Sequence, residues 1–184
     1  AQHFINKRLA EAARRHQVVV RLKGGDPMLF GRAQEEIDFL RERRISVEVV
    51  PGITAAFAAS AALGTSLTLR GISRSVVFAT PRVGDGEERS AWAKSAAAGD
   101  TVVLYMAAHD AGAVRDELLR AGMKPGTPVV AVESVSLPEE KSTSGQLKNL
   151  PVFVTPSGGP VLLLLGEVFA QEAAAGLRSA SQAA

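Results

Sequence analysis

The chain has 184 residues, 46% of them hydrophobic, so it can bury a sizeable core in one large domain or two small ones. Lys and Arg number 21 against 19 Asp and Glu, and this small net charge of +2, with few aromatic residues, is not typical of a nucleic-acid-binding protein. The absence of cysteine excludes disulfides and thiolate metal sites and is consistent with a cytoplasmic protein.

The first predicted elements are a helix, a strand and a glycine turn. Apolar residues recur at helical spacing from Phe4 to Ala13, which predicts an amphipathic opening helix. The β-branched run Val18 to Leu22 then predicts a strand buried on both faces. The run ends at Gly24-Gly25, where the backbone can approach a ligand without a Cβ in the way. Asp26-Pro27 is typical of a helix cap followed by proline at the first helical position.

A second strand and turn follow the same order. A helix is predicted from Gly31 to Arg43, and a strand from Val47 to Val50 that ends at Pro51-Gly52. A helix of small residues begins at Thr54 and ends near Leu63. Both glycine turns follow strands, so we expect them to face one cleft.

The remaining chain continues the alternation of strands and helices. Further strands are predicted at 75–80, 101–106, 128–133 and 160–166, with helices at 88–98, 111–121 and after Glu167 and a polar loop at 81–88. This alternation predicts an α/β fold with mainly parallel pairing. A change of pattern after a connector places the domains at 1–70 and 71–184.

Several features have ordinary structural explanations as well. Gly24-Gly25 could be only a turn, and Met106 at a strand end could be only core filler. His3, His16 and His109 are widely spaced, so we expect no metal site. Because the chain opens on a helix that feeds a buried strand, we also expect an earlier strand to precede Ala1 in a longer protein.

Two motifs resemble those of the tetrapyrrole methylase family. The first is Val19 to Pro27 with Phe30-Gly31-Arg32 and Glu35-Glu36, and the second is Val49-Val50-Pro51-Gly52-Ile53-Thr54-Ala55. Later segments agree in order and spacing, namely Leu104-Tyr105-Met106 with His109, Pro128-Val129 with Glu133, Gly145 with Leu147, and Pro160-Val161-Leu162 with Gly166-Glu167. The resemblance covers nearly the whole chain.

This resemblance implies two α/β domains with S-adenosylmethionine in the cleft between them, a homodimer, and S-adenosylhomocysteine as a product. The cofactor residues it implies are Gly24, Gly25, Asp26, Leu29, Thr54, Ala55, Met106, Val135 and Val161. Arg21, Arg32 and His109 would bind the substrate, and the planar forks of the two arginines can grip its carboxylates. Arg70, Arg74 and Arg82 could extend that grip or be ordinary surface residues. The family's candidate acid-base residues lie in an N-terminal segment that this chain lacks, so no catalytic residue is assigned.

The implied activity is an S-adenosylmethionine-dependent C-methylation that converts uroporphyrinogen III to precorrin-2 in two steps, towards cobalamin or siroheme. Three positions depart from the family's pattern: Ala107 and Val135 replace glycines, and Leu69 replaces a histidine. Methylation of a later corrin ring, or a non-catalytic tetrapyrrole-binding role, remain alternatives. No membrane or nucleic-acid partner is expected.

Overall fold

The computed structural model describes residues 2–83, 91–155 and 157–182. The chain forms two compact units, Ala1–Ala55 and Ala56–Ala184. The domain boundary predicted after Arg70 stays a prediction. The loop predicted at 81–88 and the first residues of the helix predicted at 88–98 lie partly outside the described residues.

The first unit contains helices but no strand among its described residues. Helix α1 spans Gln2–Arg15 and helix α2 spans Ala33–Arg41, while helix α3, Ala55–Leu63, begins at the end of this unit. The buried strands predicted at 18–22 and 47–50 are wrong, because neither segment forms a strand or belongs to the sheet. Val18, Val20 and Leu22 are 79%, 80% and 83% exposed. An apolar run becomes a buried strand only where a neighbouring strand pairs with its backbone groups.

The second unit is built on a five-stranded sheet, which confirms the α/β fold class. Its strands are β1 (Val76–Ala79), β2 (Thr101–Tyr105), β3 (Pro128–Glu133), β4 (Lys141–Gln146) and β5 (Val161–Gly166), in the spatial order β1-β2-β5-β3-β4. Only β1 and β2 pair in parallel, whereas β2–β5, β5–β3 and β3–β4 are antiparallel. The expectation of mainly parallel pairing is therefore wrong for this sheet, since β5 runs back between two strands that point the same way.

Helices cover both faces of the sheet. They are α4 (Trp92–Ala97), α5 (Ala111–Arg120), α6 (Leu150–Phe153) and α7 (Ala170–Gln182). Leu104 and Leu163 pack with Ala96, Leu118 and Leu150 in one core cluster with α4, α5 and α6. The alternate strand residues, such as Val103, Val130 and Leu164, are also fully buried and must face the other side, where α7 contacts β3 and β4. This two-sided burial holds the strand ends in place.

Candidate functional site

The two glycine turns of the first unit lie against each other. A Cβ on Gly52 would stand 2.2 Å from the carbonyl oxygen of Gly25, so only glycine fits at this contact. Gly25 adopts a positive φ of 70°, which glycine tolerates without strain. The structure thus brings together the predicted segments around Gly24-Gly25 and Thr54-Ala55. We call residues 23–32 and 51–55 the loop pair.

Asp26 ties the loop pair together. One carboxylate oxygen, Oδ2, accepts a hydrogen bond from the Gly52 N–H at 3.0 Å, and the other, Oδ1, accepts from the Met28 N–H at 2.8 Å. The predicted helix cap at Asp26-Pro27 is therefore wrong, since the next helix begins only at Ala33. Asp26 uses its carboxylate across the chain instead of capping a helix.

Leu29, Thr54 and Ala55, which are predicted to contact the cofactor, also lie in the loop pair. The Leu29 N–H donates to the carbonyl oxygen of Asp26 at 3.4 Å, and its side chain is half-buried. Thr54 is buried and Ala55 half-buried, while Gly24 and Gly25 are exposed. The exposed backbone of the glycines is what a ligand could approach.

Glu36 contacts three polar side chains of the same unit. Its carboxylate is 3.3 Å from the Arg21 guanidinium and 3.1 Å from the Lys23 ammonium, and it accepts a hydrogen bond from Gln2 at 2.9 Å. Burial acts to raise the pKa of Glu36, but the hydrogen bonds from Gln2 and Lys23 and the charges of Lys23 and Arg21 outweigh it and lower the pKa. Arg21, predicted to bind substrate, therefore has a buried carboxylate partner in its own unit.

Arg32 has a glutamate partner too. Its guanidinium binds Glu35 through two hydrogen bonds of 2.7 Å each, and this bidentate contact is the main reason that the pKa of Glu35 is lowered. The pair is exposed, so it contributes little to stability. Arg32 itself has a φ of 54°, a conformation that non-glycine residues rarely adopt.

In the second unit, three predicted cofactor residues meet at one edge of the sheet. Strand β5 lies between β2 and β3 and runs opposite to both, so its start lies beside their ends. Tyr105 pairs with Leu162, and Glu133 pairs with Val161. Met106 directly follows Tyr105, and Val135 follows Glu133 by two residues. The pairing therefore places Met106, Val135 and Val161 near one another, and we call this region the sheet edge.

The backbone of the sheet edge is unusual. Met106, Ser134 and Ser136 all have positive φ values, of 55°, 54° and 66°. Val135 thus stands between two residues in the left-handed region. Such conformations cost of order 1–3 kcal/mol each and cluster at functional sites. Met106 is 46% exposed, so it is not the core filler that its position at a strand end also allowed.

Glu133 is a functional candidate whose partners sequence reasoning missed. Its Oε1 atom accepts hydrogen bonds from the Ser157 N–H, the Ser157 hydroxyl and the Gly159 N–H at 2.8, 2.9 and 2.9 Å, and its Oε2 lies 3.1 Å from the Lys141 ammonium. Burial acts to raise the pKa of Glu133, but these donors outweigh it and lower the pKa to about 2. Ser157 and Gly159 lie in a loop 24 and 26 residues from Glu133, a pairing that no sequence pattern reveals.

Other groups lie close to the sheet edge in sequence. His109 is exposed in a short 3-10 helix, Ala108–Asp110, shortly after Met106. The Tyr105 hydroxyl accepts a hydrogen bond of 3.2 Å from the N–H of Ala56 in the first turn of α3. A small cavity of about 90 Å³ beside Glu133 is lined by Ala131, Glu133, Lys141, Thr143, Phe153, Val154, Thr155 and Val161.

Two kinds of site do not occur within residues 2–83, 91–155 and 157–182. These ranges hold no group of three His, Asp or Glu side chains placed to bind a metal ion. They also hold no helix of the length and apolarity needed to cross a membrane. The loop pair and the sheet edge are features of an α/β protein that binds an organic ligand.

Comparison with known proteins narrows this class to a family. The family model for tetrapyrrole (corrin/porphyrin) methylases matches residues 1–151, and the chain belongs to this family. It is 40% identical over 168 residues to a siroheme synthase of Zymomonas mobilis and 42% identical over 169 residues to one of Ruthia magnifica. Each alignment covers 91% of this chain, yet the chain spans only 36% of the length of either relative.

Solved structures agree in fold. A uroporphyrin-III C-methyl transferase from Thermus thermophilus, complexed with S-adenosylhomocysteine, is 36% identical with a TM-score of 0.81, and the match covers 91% of this chain and 74% of that one. A cobalt precorrin-4 methyltransferase is 27% identical with a TM-score of 0.67, over 79% of this chain and 62% of that one. The tetrapyrrole methylase fold expected from the sequence is thus confirmed.

Proposed function

We propose that the protein containing this chain is an S-adenosylmethionine-dependent C-methyltransferase that methylates uroporphyrinogen III twice to give precorrin-2. The observation that carries the proposal is the sheet edge, where Met106, Val135 and Val161 come together although the first and the last are 55 positions apart in the sequence. The solved structure from Thermus thermophilus, named a uroporphyrin-III C-methyl transferase and complexed with S-adenosylhomocysteine, supports the choice of substrate class and cofactor.

The residues present suit the cofactor chemically. Gly24, Gly25, Asp26, Leu29, Thr54 and Ala55 would hold it from the first unit, and Met106, Val135 and Val161 from the second. Exposed glycine backbone offers hydrogen-bonding groups to the polar portions of the molecule, and the partly exposed Met106 offers an apolar, polarisable surface. When bound, S-adenosylmethionine supplies the methyl group from its sulfonium.

Catalysis by this chain would rest on alignment. No side-chain nucleophile is required for transfer to an electron-rich pyrrole carbon, so the residues of the loop pair and the sheet edge bind, orient and exclude water. Holding two reactants in a near-attack geometry can lower a barrier by about 7–11 kcal/mol. No residue of the chain is assigned as general base.

Arg21, Arg32 and His109 would bind the carboxylates of the substrate. Arg32 is the better placed of the two arginines, because its side chain is 60% exposed, whereas that of Arg21 is 41% exposed and contacts the buried Glu36. A substrate carboxylate could exchange with Glu35 for the Arg32 fork. Arg21 would also keep its ion pair with Glu36, the carboxylate that Lys23 of the loop pair contacts as well.

The test uses the whole gene product, with calorimetry for S-adenosylhomocysteine binding and mass spectrometry of products from uroporphyrinogen III. We expect binding and the addition of two methyl groups. Absence of binding would contradict the methyltransferase assignment. Binding without methylation of this substrate would leave the class intact and overturn the substrate.

The similarity to cobalt precorrin-4 methyltransferase supports a second candidate, methylation of a later corrin ring. The same mass measurement with corrin substrates separates the two. We also propose that the protein is cytoplasmic and forms a homodimer, which fractionation and light scattering would test.

A further inference from the structure

The carboxylate of Glu133 holds two chain segments that meet at the sheet edge. It accepts three hydrogen bonds from Ser157 and Gly159 and forms an ion pair with Lys141, which itself donates to the Ser157 hydroxyl at 2.6 Å. The side chain of Glu133 is 7% exposed, whereas that of Lys141 is 50% exposed. We call Glu133, Lys141, Ser157 and Gly159 the Glu133 clamp.

The clamp fixes the loop that leads into β5. The Ser134 N–H donates to the carbonyl oxygen of Pro160 at 2.9 Å, so main-chain bonding continues the attachment beyond Glu133. A Cβ on Gly159 would lie 2.1 Å from the Ser134 hydroxyl and 3.1 Å from Cγ of Glu133. The loop 157–160 is thus packed tightly onto the end of β3.

Both attached segments continue directly into predicted cofactor contacts. Val161 follows the loop, and Val135 follows Glu133 and Ser134. Val135 also lies between two residues with positive φ, a conformation that persists only where the surroundings enforce it. The Leu137 N–H donates to the Ser134 carbonyl at 3.0 Å, and the Ser136 N–H donates to Glu140 at 2.6 Å, which completes a closed turn around Val135.

We propose that Glu133 is a positioning residue that sets Val135 and Val161 for binding of the adenosyl cofactor, with Lys141 as its outer partner. This role rests on the proposed function. Glu133 would not touch the cofactor. It acts because a carboxylate can accept several hydrogen bonds at once, which an apolar residue cannot do. A small displacement of such supporting groups is enough to weaken a site.

The test compares four variants of the whole gene product. They are Glu133→Ala, Glu133→Gln, Lys141→Met and, as a matched control, Glu139→Gln, an exposed carboxylate in the adjacent turn. Calorimetry measures the Kd for S-adenosylhomocysteine, kinetics measure KM for both substrates, and hydrogen exchange measures protection of the Ser157 and Gly159 amides.

We expect Glu133→Ala to raise the Kd and the KM for S-adenosylmethionine about tenfold or more, with the KM for the tetrapyrrole nearly unchanged. Exchange at Ser157 and Gly159 should accelerate in the same variant. Glu133→Gln should restore part of the affinity, because its amide oxygen still accepts hydrogen bonds. Lys141→Met should have a smaller effect and Glu139→Gln none.

The outcomes separate this role from the function on which it rests. Failure of the wild-type protein to bind S-adenosylhomocysteine overturns both. Normal wild-type binding with an unchanged Kd in Glu133→Ala, despite faster amide exchange, overturns the positioning role alone. Equal increases in both KM values would also contradict it, since a general loss of structure has no preference between substrates. If Glu133→Ala does not fold, the Kd of Glu133→Gln for S-adenosylhomocysteine is compared with that of the wild type. An increase supports the positioning role, and an unchanged Kd contradicts it.

Discussion

Different interactions hold the backbone in position in the loop pair and at the sheet edge. In the loop pair, irregular backbone is fixed by side-chain bonds, chiefly from Asp26 and Glu36. At the sheet edge, position follows from strand pairing over a core that includes Leu104 and Leu163. A few polar contacts therefore determine the first geometry, whereas many apolar contacts, together with the Glu133 clamp, determine the second. The two regions should respond differently to mutation.

The largest effect should come from the core beneath the sheet edge. Leu163→Ala removes a fully buried side chain of β5 and should lower the free energy of unfolding by about 2–5 kcal/mol. Chemical denaturation measures the change. Val152→Ala is the matched control, since Val152 is 79% exposed and its truncation should cost far less. Similar losses in both variants would contradict the idea that core burial holds this edge.

Gly52→Ala should be the most damaging change in the loop pair. The new methyl group would overlap the Gly25 carbonyl, and the backbone there must move to admit it. Overpacking of this kind costs about 1–3 kcal/mol, and the displaced loops should bind S-adenosylhomocysteine at least about tenfold more weakly. Gly112→Ala in α5 serves as control, because outside its own helix backbone and chain neighbours the nearest atom to its Cβ is a carboxylate oxygen of Asp110 at 4.0 Å. Unchanged affinity for S-adenosylhomocysteine in Gly52→Ala would contradict the idea that the contact between Gly52 and Gly25 shapes the ligand site.

Asp26→Ala should have a somewhat smaller effect on folding but a clear one on the loops. It removes the acceptor for the N–H groups of Met28 and Gly52, at a cost of about 1–2 kcal/mol. Amide exchange at these two positions should speed up, and calorimetry should show weaker cofactor binding. Asp38→Ala on helix α2 is a control with an exposed carboxylate. Slow exchange that persists in Asp26→Ala would show that other contacts hold the loops.

The smallest effects concern the pH dependence of the free energy of unfolding. In both regions a carboxyl group with a lowered pKa makes the folded state less stable as the pH falls. Glu133 has a pKa of about 2 against an ordinary value of 4.5, so its ionised form stabilises the folded state above pH 4.5. That contribution is lost as the pH falls from 4.5 towards 2. The difference in unfolding free energy between wild type and Glu133→Gln should therefore be constant near neutral pH and shrink over this range. Denaturation series measured across these pH values check it.

Glu36 should follow the same direction, because its pKa is also lowered. Glu36→Gln would then lose its stability difference from wild type as the solution becomes acidic. A difference that grows with acidity in either variant would contradict the assigned charge states.

The sequence predicts those features that are determined by neighbouring residues, and it fails where a feature depends on pairing with a distant segment. The continuous apolar run predicts β5, Val161–Gly166, to within one residue, because a buried central strand needs apolar residues on both faces. The sequence does not predict strand β4, Lys141–Gln146, because its mostly polar residues lack the apolar pattern of a buried strand. The predicted strand at 18–22 has the right composition, yet burial depends on a partner strand that composition does not specify.

The site residues show the same limit. The motif around Gly24-Gly25 is recognisable in sequence. The hydrogen bond that Asp26 accepts from the Gly52 N–H joins residues 26 apart, so the local sequence favours a helix cap at Asp26 instead. Strand order alone brings Met106 near Val161, and no local pattern contains that order. The roles assigned to these residues in cofactor and substrate binding stay predictions.

The most direct test is hydrogen exchange of the whole gene product with and without S-adenosylhomocysteine. If the loop pair and the sheet edge form the cofactor site, binding should slow amide exchange at residues 24–29 and 52–55 and at residues 134–136 and 161–162. Binding with protection confined to other surfaces, such as the groove along α1 lined by Phe4, Leu9 and Arg21, would contradict this assignment.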